Sequence, residues 1–204
     1  EAVFDIQYGN VKRPTHANTS WDFARFEVCV HKWLDLGEDD YGVSFINDCK
    51  YGCSVRDSVV GLSMLKSGTF PNPQADQEYH EFTYSIYPHK GSWKEAGSVH
   101  MAYQMNNPPA VVRKEQGGGF LDPVFSFFST DCPNVIIEAV KREEDGEGII
   151  LRLYECFNRR TKVILRSGLG AAEAYECSML EEIEQALAVE KGQVRFTIKP
   201  YEIK

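Results

Sequence analysis

The sequence lacks the marks of several large classes of protein. It contains no run of about 18 apolar residues, so no transmembrane helix and no membrane partner are expected. Its 30 acidic residues outnumber its 22 lysines and arginines, which gives a formal net charge of −8, and the basic residues form no cluster. Nucleic acids attract clustered positive charge, so no nucleic-acid partner is predicted either.

Signatures of common catalytic and nucleotide sites are also missing. The sequence has no P-loop and no GxGxxG, GxSxG or HExxH pattern. It does not open on a signal peptide, because its first ten residues, EAVFDIQYGN, alternate between apolar and polar in the manner of a strand. We therefore interpret the chain as a piece of a longer protein.

The six cysteines follow no disulfide or metal-site spacing. Most of them lie in apolar, strand-like segments, which favours buried thiols in a reducing compartment over a disulfide framework. Cys49 and Cys53 form a CxxxC pair, but no second pair of cysteine or histidine ligands lies at the spacing of a zinc site. No metal or other cofactor is predicted in this chain.

The residues that are present are typical of an all-β globular protein. Hydrophobic residues make up 43% of the chain and aromatic residues 12%, enough to exclude a disordered chain. Apolar and polar residues alternate with the period of half-buried strands near 26–30, 60–65, 82–86, 99–105, 135–140, 149–154, 162–166 and 194–203. Many short strands separated by turn residues predict an antiparallel β-sandwich.

One stretch predicts a domain boundary and another predicts a helix. Residues 106–119, NNPPAVVRKEQGGG, combine prolines and glycines with few apolar residues, so we predict a domain at 1–107, a linker at 108–119 and a smaller second domain at 120–204. Residues 171–190 place three apolar side chains on one helical face and predict a helix, with a strand followed by a short helical turn as the alternative.

Residues 13–22, RPTHANTSWD, form a first candidate for ligand contact. The segment combines side chains that hydrogen-bond hydroxyl groups with the aromatic ring of Trp21, a chemistry that suits a sugar. The alternative is a structural loop, well hydrogen-bonded, with Trp21 anchored in the core.

Residues 47–52, NDCKYG, form a second candidate directly after the strand-like run YGVSFI. In an extended chain, Asp48 and Lys50 would share one side and Cys49 would point the other way, toward the core. The two charges could then contact a polar substrate together. The alternative is an exposed ion pair at the end of a strand, which would contribute little.

These stretches, taken in order, resemble the C-terminal region of glycoside hydrolase family 38 α-mannosidases, in particular the cytosolic and bacterial branch. The resemblance covers nearly the whole chain and is densest from residue 4 to about residue 105. It is carried by FDIQYGNVKRPTHANTSWDFARFEV, HKWLDL, DYGVSFINDCKYG, SVRDSV, HEFTYSIYPHKGSW, AYQMN and the final PYEIK.

The resemblance implies a fold and an activity. Members of the family are retaining exo-α-mannosidases that use zinc or another divalent metal, with the metal and both catalytic carboxyl groups in an N-terminal catalytic domain. This chain would correspond to the later part of a mutarotase-like β-supersandwich followed by a small β-sandwich. It would hold no catalytic residue and no metal ligand, and it would be inactive alone.

The resemblance also implies partners and contact residues. The chain would complete a pocket for a mannose-containing oligosaccharide beside the missing N-terminal catalytic domain, in a cytoplasmic enzyme. The candidate pocket residues are Asp48, Lys50 and Tyr51, followed by His16, Asn18 and Trp21. A β region separated from its neighbour exposes edges and apolar faces, so we also expect a homo-oligomer.

Two other functions compete with this interpretation. The chain could be a free-standing carbohydrate-binding β-sandwich module, or a purely structural assembly domain. The sequence upstream of Glu1 distinguishes them, because the first interpretation requires several hundred further residues with a metal motif and a nucleophile.

Overall fold

The computed structural model describes residues 1–113, 117–119 and 121–204, which divide into two compact units. The first unit is Glu1–Ala110 and the second is Val111–Lys204. This division falls inside the predicted linker at 108–119, of which residues 114–116 lie outside the described residues, as does residue 120 at the predicted start of the second domain. The exact domain bounds remain a prediction.

The first unit consists of β-strands and two helices. Its elements are β1 Ala2–Ile6, β2 Gly9–Arg13, α1 Ser20–Ala24, β3 Val28–Cys29, β4 Trp33–Gly37, β5 Tyr41–Asn47, β6 Gly52–Arg56, β7 Val59–Ser63, β8 Tyr84–Lys90 and α2 Ser98–Asn106. The strands form an antiparallel five-stranded sheet in the order β2-β1-β4-β5-β8 and a three-stranded sheet in the order β3-β6-β7.

Apolar side chains from both sheets form the core of the first unit. Ala2 and Phe4 on β1 and Leu34 on β4 pack with Val30 and with Cys53 of β6. The opposite face of the five-stranded sheet is also covered, because Trp33 stacks on Trp93 with ring centroids 4.8 Å apart, and α2 packs over β4 and β5. Burial on both faces explains why consecutive residues of β1 and β4 are buried, in place of every second residue.

A buried polar network lies beneath α2. The Asp35 Oδ2 atom lies 2.7 Å from Nε2 of His89 and accepts a hydrogen bond of 2.8 Å from Oγ of Ser44. The Ser44 hydroxyl in turn lies 2.7 Å from the hydroxyl of Ser98. All four residues are buried, and they belong to β4, β8, β5 and α2 respectively. The network therefore joins three strands to the helix.

The serine, histidine and aspartate of this network do not form a catalytic triad. In a triad, one imidazole nitrogen faces the serine and the other faces the carboxylate. Here Ser44 and Asp35 both approach Nε2 of His89, at 3.2 and 2.7 Å. Ser44 is also fully buried, so no substrate reaches its hydroxyl. The network is structural.

The second unit is entirely β in the residues that the structure describes. Its strands are β9 Phe128–Thr130, β10 Val135–Arg142, β11 Ile149–Glu155, β12 Thr161–Ser167, β13 Ala174–Cys177, β14 Ile183–Leu187, β15 Val189–Glu190 and β16 Gln193–Ile198. They form the antiparallel sheets β10-β11, β15-β16-β12-β9 and β13-β14. Val135, Leu153, Val163 and Ile198 form the core between the first two sheets.

A single buried carboxylate organises one end of the second unit. Oε1 of Glu155, which is fully buried, accepts hydrogen bonds from Nδ2 of Asn134 at 2.7 Å and from the amide of Phe157 at 2.8 Å. Its Oε2 accepts from the amides of Arg159 and Tyr201, both at 3.1 Å. Four donors satisfy the buried carboxyl group, and they tie the loop after β11 to the last residues of the chain.

The predicted all-β antiparallel fold is confirmed, but the strand predicted near 99–105 is wrong, because Ser98–Asn106 is the helix α2. Ser98, Val99 and Ala102 are its buried residues, a helical spacing, whereas Met101 is partly exposed. Apolar residues on both faces of the helix produced the misleading period-two pattern. No helix in the described part of the chain is long and apolar enough to cross a membrane.

The helix predicted at 171–190 is also wrong. Strands β13 and β14 pair antiparallel in that segment, and the side chain of Leu180, assigned to the buried helical face, is 82% exposed. The Ser178 hydroxyl accepts hydrogen bonds from the amides of Leu180 and Glu182, and Glu181 has a positive φ of 67°. A serine-capped turn of this kind ends a strand and begins a hairpin, in place of a continuing helix.

Candidate functional site

A buried asparagine shapes the loop between β5 and β6. Asn47, the last residue of β5, donates from Nδ2 to the carbonyl of His31 at 2.7 Å and accepts at Oδ1 from the amide of Lys50 at 2.8 Å. Its own carbonyl accepts from Nδ2 of Asn106, at the end of α2, at 3.1 Å. These bonds fold residues 47–50 into a compact turn, and this turn positions the candidate side chains.

Asp48 connects this turn to the segment that precedes β8. Its Oδ2 accepts from the amide of Thr83 at 2.9 Å, and its own amide donates to the Thr83 carbonyl at 3.2 Å. Hydrogen bonds from Cys49 and Thr83 hold the pKa of the Asp48 carboxyl below its usual value. Asp48 is therefore an anchored carboxylate in the neutral pH range.

Lys50 and Tyr51 are the other two candidate residues of the loop. The Lys50 ammonium lies 5.2 Å from the ring centroid of Phe82, a cation–π distance, and the half-exposed Tyr51 ring lies 5.6 Å from that of His31. Among the described residues, no ion pair links Asp48 to Lys50.

The predicted inward position of Cys49 is wrong, because its side chain is exposed. The prediction assumed an extended chain, in which neighbouring side chains alternate. The turn built on Asn47 breaks that alternation, and both Asp48 and Lys50 are partly buried in it.

The candidate segment at residues 13–22 begins at the end of β2 and runs into α1. Thr19 caps α1: its hydroxyl accepts from the amide of Asp22 at 3.2 Å, and the Asp22 carboxylate accepts from the Thr19 hydroxyl at 2.8 Å. These bonds, with those from the Thr19 and Asn18 amides, lower the pKa of the Asp22 carboxyl. The polar residues of the segment thus build the start of a helix.

The three predicted sugar contacts in this segment do not converge. Trp21 is 77% exposed, which excludes the alternative that it anchors the core. His16 lines a cleft with three arginines, whereas Asn18 and Trp21 do not line it. Lys50 and Tyr51 border a different, open depression, which is also lined by Glu27 and by residues of β3 and β7. The two candidate segments therefore do not form one pocket within this unit.

The described residues offer no metal centre. Within 1–113, 117–119 and 121–204, no group of three histidine, cysteine, aspartate or glutamate side chains is placed to hold a metal ion together. The six cysteines, all within the described part, form no disulfide; Cys53 and Cys156 are buried and Cys29 and Cys49 are exposed. Burial raises the pKa of the Cys53 thiol to about 12, so this thiol stays protonated and unreactive.

Sequence reasoning missed the residues that support these sites. Asn47 was not singled out, although an asparagine at a strand end before a turn is a recognised turn signal. Arg13, Arg25 and Arg56 were not grouped either, because they are separated by 12 residues or more in the sequence and only the fold brings them to one cleft.

Comparison with known proteins places these features in a family. The model of the glycosyl hydrolases family 38 C-terminal domain matches residues 1–74, and that of the family 38 C-terminal beta sandwich domain matches residues 134–204. Alpha-mannosidase 2C1 of Mus musculus is 39% identical over an alignment of length 209, and Alpha-mannosidase G of Dictyostelium discoideum is 40% identical over an alignment of length 207.

The alignments cover all of this chain but only 20% and 19% of those two proteins, so the chain spans about a fifth of the length of its curated relatives. The crystal structure of an alpha-mannosidase from Enterococcus faecalis V583 superposes with a TM-score of 0.78 over 99% of this chain and 23% of that one. At 19% identity, this likeness concerns the fold. From the two family models and the relatives aligned along its whole length, the chain belongs to glycoside hydrolase family 38, as its C-terminal β region.

Proposed function

We propose that this chain is the C-terminal β region of a retaining exo-α-mannosidase that removes terminal mannose from an oligosaccharide. The observation that supports the proposal is the identity of about 40% to α-mannosidases along the entire chain. Because the chain spans only a fifth of those relatives, we assign the chemistry to an N-terminal catalytic domain that the chain adjoins.

The catalytic roles belong to that other domain. Retaining glycosidases need two carboxyl groups about 5 Å apart, one as nucleophile and one as acid and then base. The parent enzyme would also hold zinc or another divalent metal, as its family does. The described residues provide no ligand set for such an ion, so no step of the reaction is assigned to this chain.

The role proposed for this chain is to complete the sugar pocket through the loop at residues 47–51. Hydrogen bonds from Cys49 and Thr83 keep Asp48 ionised, and the Lys50 ammonium lies over the ring of Phe82. A fixed carboxylate and a fixed ammonium hydrogen-bond sugar hydroxyls with little loss of conformational entropy. His16, Asn18 and Trp21 remain secondary candidates, on a separate part of the unit.

Exposed aromatic residues on α1 and just after it support a contact with another part of the parent enzyme. Trp21, Phe23 and Phe26 are each more than two-thirds exposed, and neighbouring exposed aromatics of this kind mark interaction surfaces. We propose that this surface meets the catalytic domain, and that the isolated chain self-associates through it. Cysteines present as thiols fit a cytoplasmic location.

The chain alone should be inactive. With an aryl α-mannoside and added zinc, we expect no hydrolysis above the buffer background, because the chain holds no acid–nucleophile pair assigned to the reaction. A released phenol, followed by absorbance, is the measurement. Turnover by the purified chain would contradict the proposal. Saturable binding of mannose by the chain alone, seen by calorimetry, would favour the carbohydrate-binding module in its place.

Replacing Lys50 by alanine in the parent enzyme should lower kcat/KM by roughly ten- to a hundredfold, because a charge-assisted contact in a confined site contributes about 1–3 kcal/mol. Asp48→Asn should have a similar effect, since it removes the charge while keeping the acceptor for Thr83. Steady-state kinetics with an aryl α-mannoside is the measurement, and metal content should not change.

Lys12→Ala is the matched control for Lys50→Ala. Lys12 is exposed and forms only a 3.8 Å ion pair with Glu1, so its loss should leave kcat/KM within about twofold of the wild-type value. If Lys50→Ala behaves like Lys12→Ala, the loop takes no part in the sugar pocket.

A further inference from the structure

A cationic cleft lies in the first unit, apart from the loop at residues 47–51. Its volume is about 320 Å³, at the lower end of the range for small-molecule sites. Its walls come from β1, β2, the segment that leads into α1, α1 itself and β6. The polar groups that line it include Arg13, His16, Asp22, Arg25 and Arg56.

The charge of this cleft is opposite to that of the whole chain. Three arginines and one aspartate line it, whereas the chain carries a formal net charge of −8. The carboxylate of Asp22 already has partners, because it accepts hydrogen bonds from the amide and hydroxyl of Thr19 and lies 3.6 Å from the guanidinium of Arg25. Arg13 and Arg56 therefore face the cleft without a compensating carboxylate among its lining residues.

The Arg13 side chain is fixed by packing, but one of its hydrogen-bond donors has no acceptor among the described residues. Its guanidinium lies 4.6 Å from the ring centroid of Phe4, a core residue, so the side chain is fixed by packing. Its Nη1 atom is buried and has no hydrogen-bond partner in the part of the chain that the structure describes. A buried donor of a charged group is costly when it is unpaired. Arg13 also lines the cleft, so an acceptor there can approach its guanidinium.

We propose that this cleft binds a phosphate group, either as free phosphate or carried by a monosaccharide. The planar guanidinium matches the oxygens of a phosphate, and several arginines around one cleft are typical of phosphate recognition. Arg13 and Arg56 donate to the phosphate oxygens, and the cleft volume accommodates a ligand of the size of a hexose phosphate. The site is independent of the sugar-pocket role proposed for the loop at residues 47–51.

The test is a calorimetric titration of inorganic phosphate into the 204-residue chain at low ionic strength. We expect saturable binding with a Kd of about 1 mM or lower. Arg56→Gln should weaken binding by at least about tenfold, since it removes a charge-assisted donor, and Arg25→Gln should also weaken it. Both side chains are exposed, so neither substitution disturbs the core as Arg13→Gln would.

Arg142→Gln is the matched control, because Arg142 is exposed in the second unit and does not line the cleft. Its Kd should stay within about twofold of wild type. A hexose 6-phosphate that binds more tightly than inorganic phosphate identifies a sugar phosphate as the ligand, and equal binding identifies free phosphate. Absence of saturation at about 20 mM phosphate, or equal weakening by Arg56→Gln and Arg142→Gln, overturns the proposal.

Discussion

Replacing Glu155 by alanine is expected to lower the free energy of unfolding of the second unit by about 3–5 kcal/mol. The carboxylate is fully buried and accepts four hydrogen bonds, one from the Asn134 side chain and three from backbone amides. The alanine variant would remove the acceptor of all four bonds and create a cavity. Glu155→Gln should recover part of the loss, because it retains one acceptor oxygen.

Backbone hydrogen exchange is the appropriate measurement, since a chain of two units does not unfold in a single two-state step. Exchange should accelerate at the amides of Phe157, Arg159 and Tyr201 and across β16. Glu147→Ala is the control: Glu147 is an exposed partner of Arg142 and should contribute less than about 1 kcal/mol. Equal exchange in Glu155→Ala and Glu147→Ala would show that the buried carboxylate does not hold the unit together.

Asp35→Asn is expected to destabilise the first unit by about 3 kcal/mol or more. The substitution preserves shape but turns an amide group toward His89 and Ser44, which leaves at least one buried donor or acceptor unpaired. Because the network joins β4, β5 and β8 to α2, we expect faster hydrogen exchange in β5 and α2, and no change in the second unit.

Two further variants sharpen this prediction. Asp39→Asn makes the same chemical change at an exposed position just after β4 and should cost less than about 0.5 kcal/mol. Gly42→Ala should reproduce much of the effect of Asp35→Asn, because a Cβ atom at residue 42 would lie 2.6 Å from Cε1 of His89. If Asp35→Asn matches Asp39→Asn, the network is not a source of stability.

The sequence was sufficient to predict the fold class, because alternating apolar residues mark a half-buried strand wherever the other face of the sheet contacts solvent. The prediction of individual elements failed where the apolar residues did not all lie on one buried face. In α2, Val99 and Met101 alternate with polar residues, yet burial follows the helical spacing of Val99 and Ala102. In β14, Ile183 is largely exposed, so its apolar character carried no information about a buried face.

The candidate site was predictable only in part, for a similar reason. The position of Asp48 and Lys50 at the end of β5 followed from the strand pattern, but the turn geometry depended on bonds from Asn47 to His31 and to Asn106, which lie far away in the sequence. The cationic cleft depends on packing of three separate segments. Contacts of this kind are set by tertiary structure and leave no periodic signal.

The hydrogen bonds of Glu155 have a consequence for how the sequence can vary among relatives. Three of its four donors are main-chain amides, so those bonds do not depend on the side chains at residues 157, 159 and 201. Selection acting through them would preserve Glu155 itself and would exclude proline, which lacks an amide hydrogen, from those three positions. We therefore expect that relatives retain the glutamate at position 155, while the side chains at positions 157, 159 and 201 vary. Analysis of covariation between residue pairs would not detect this pattern.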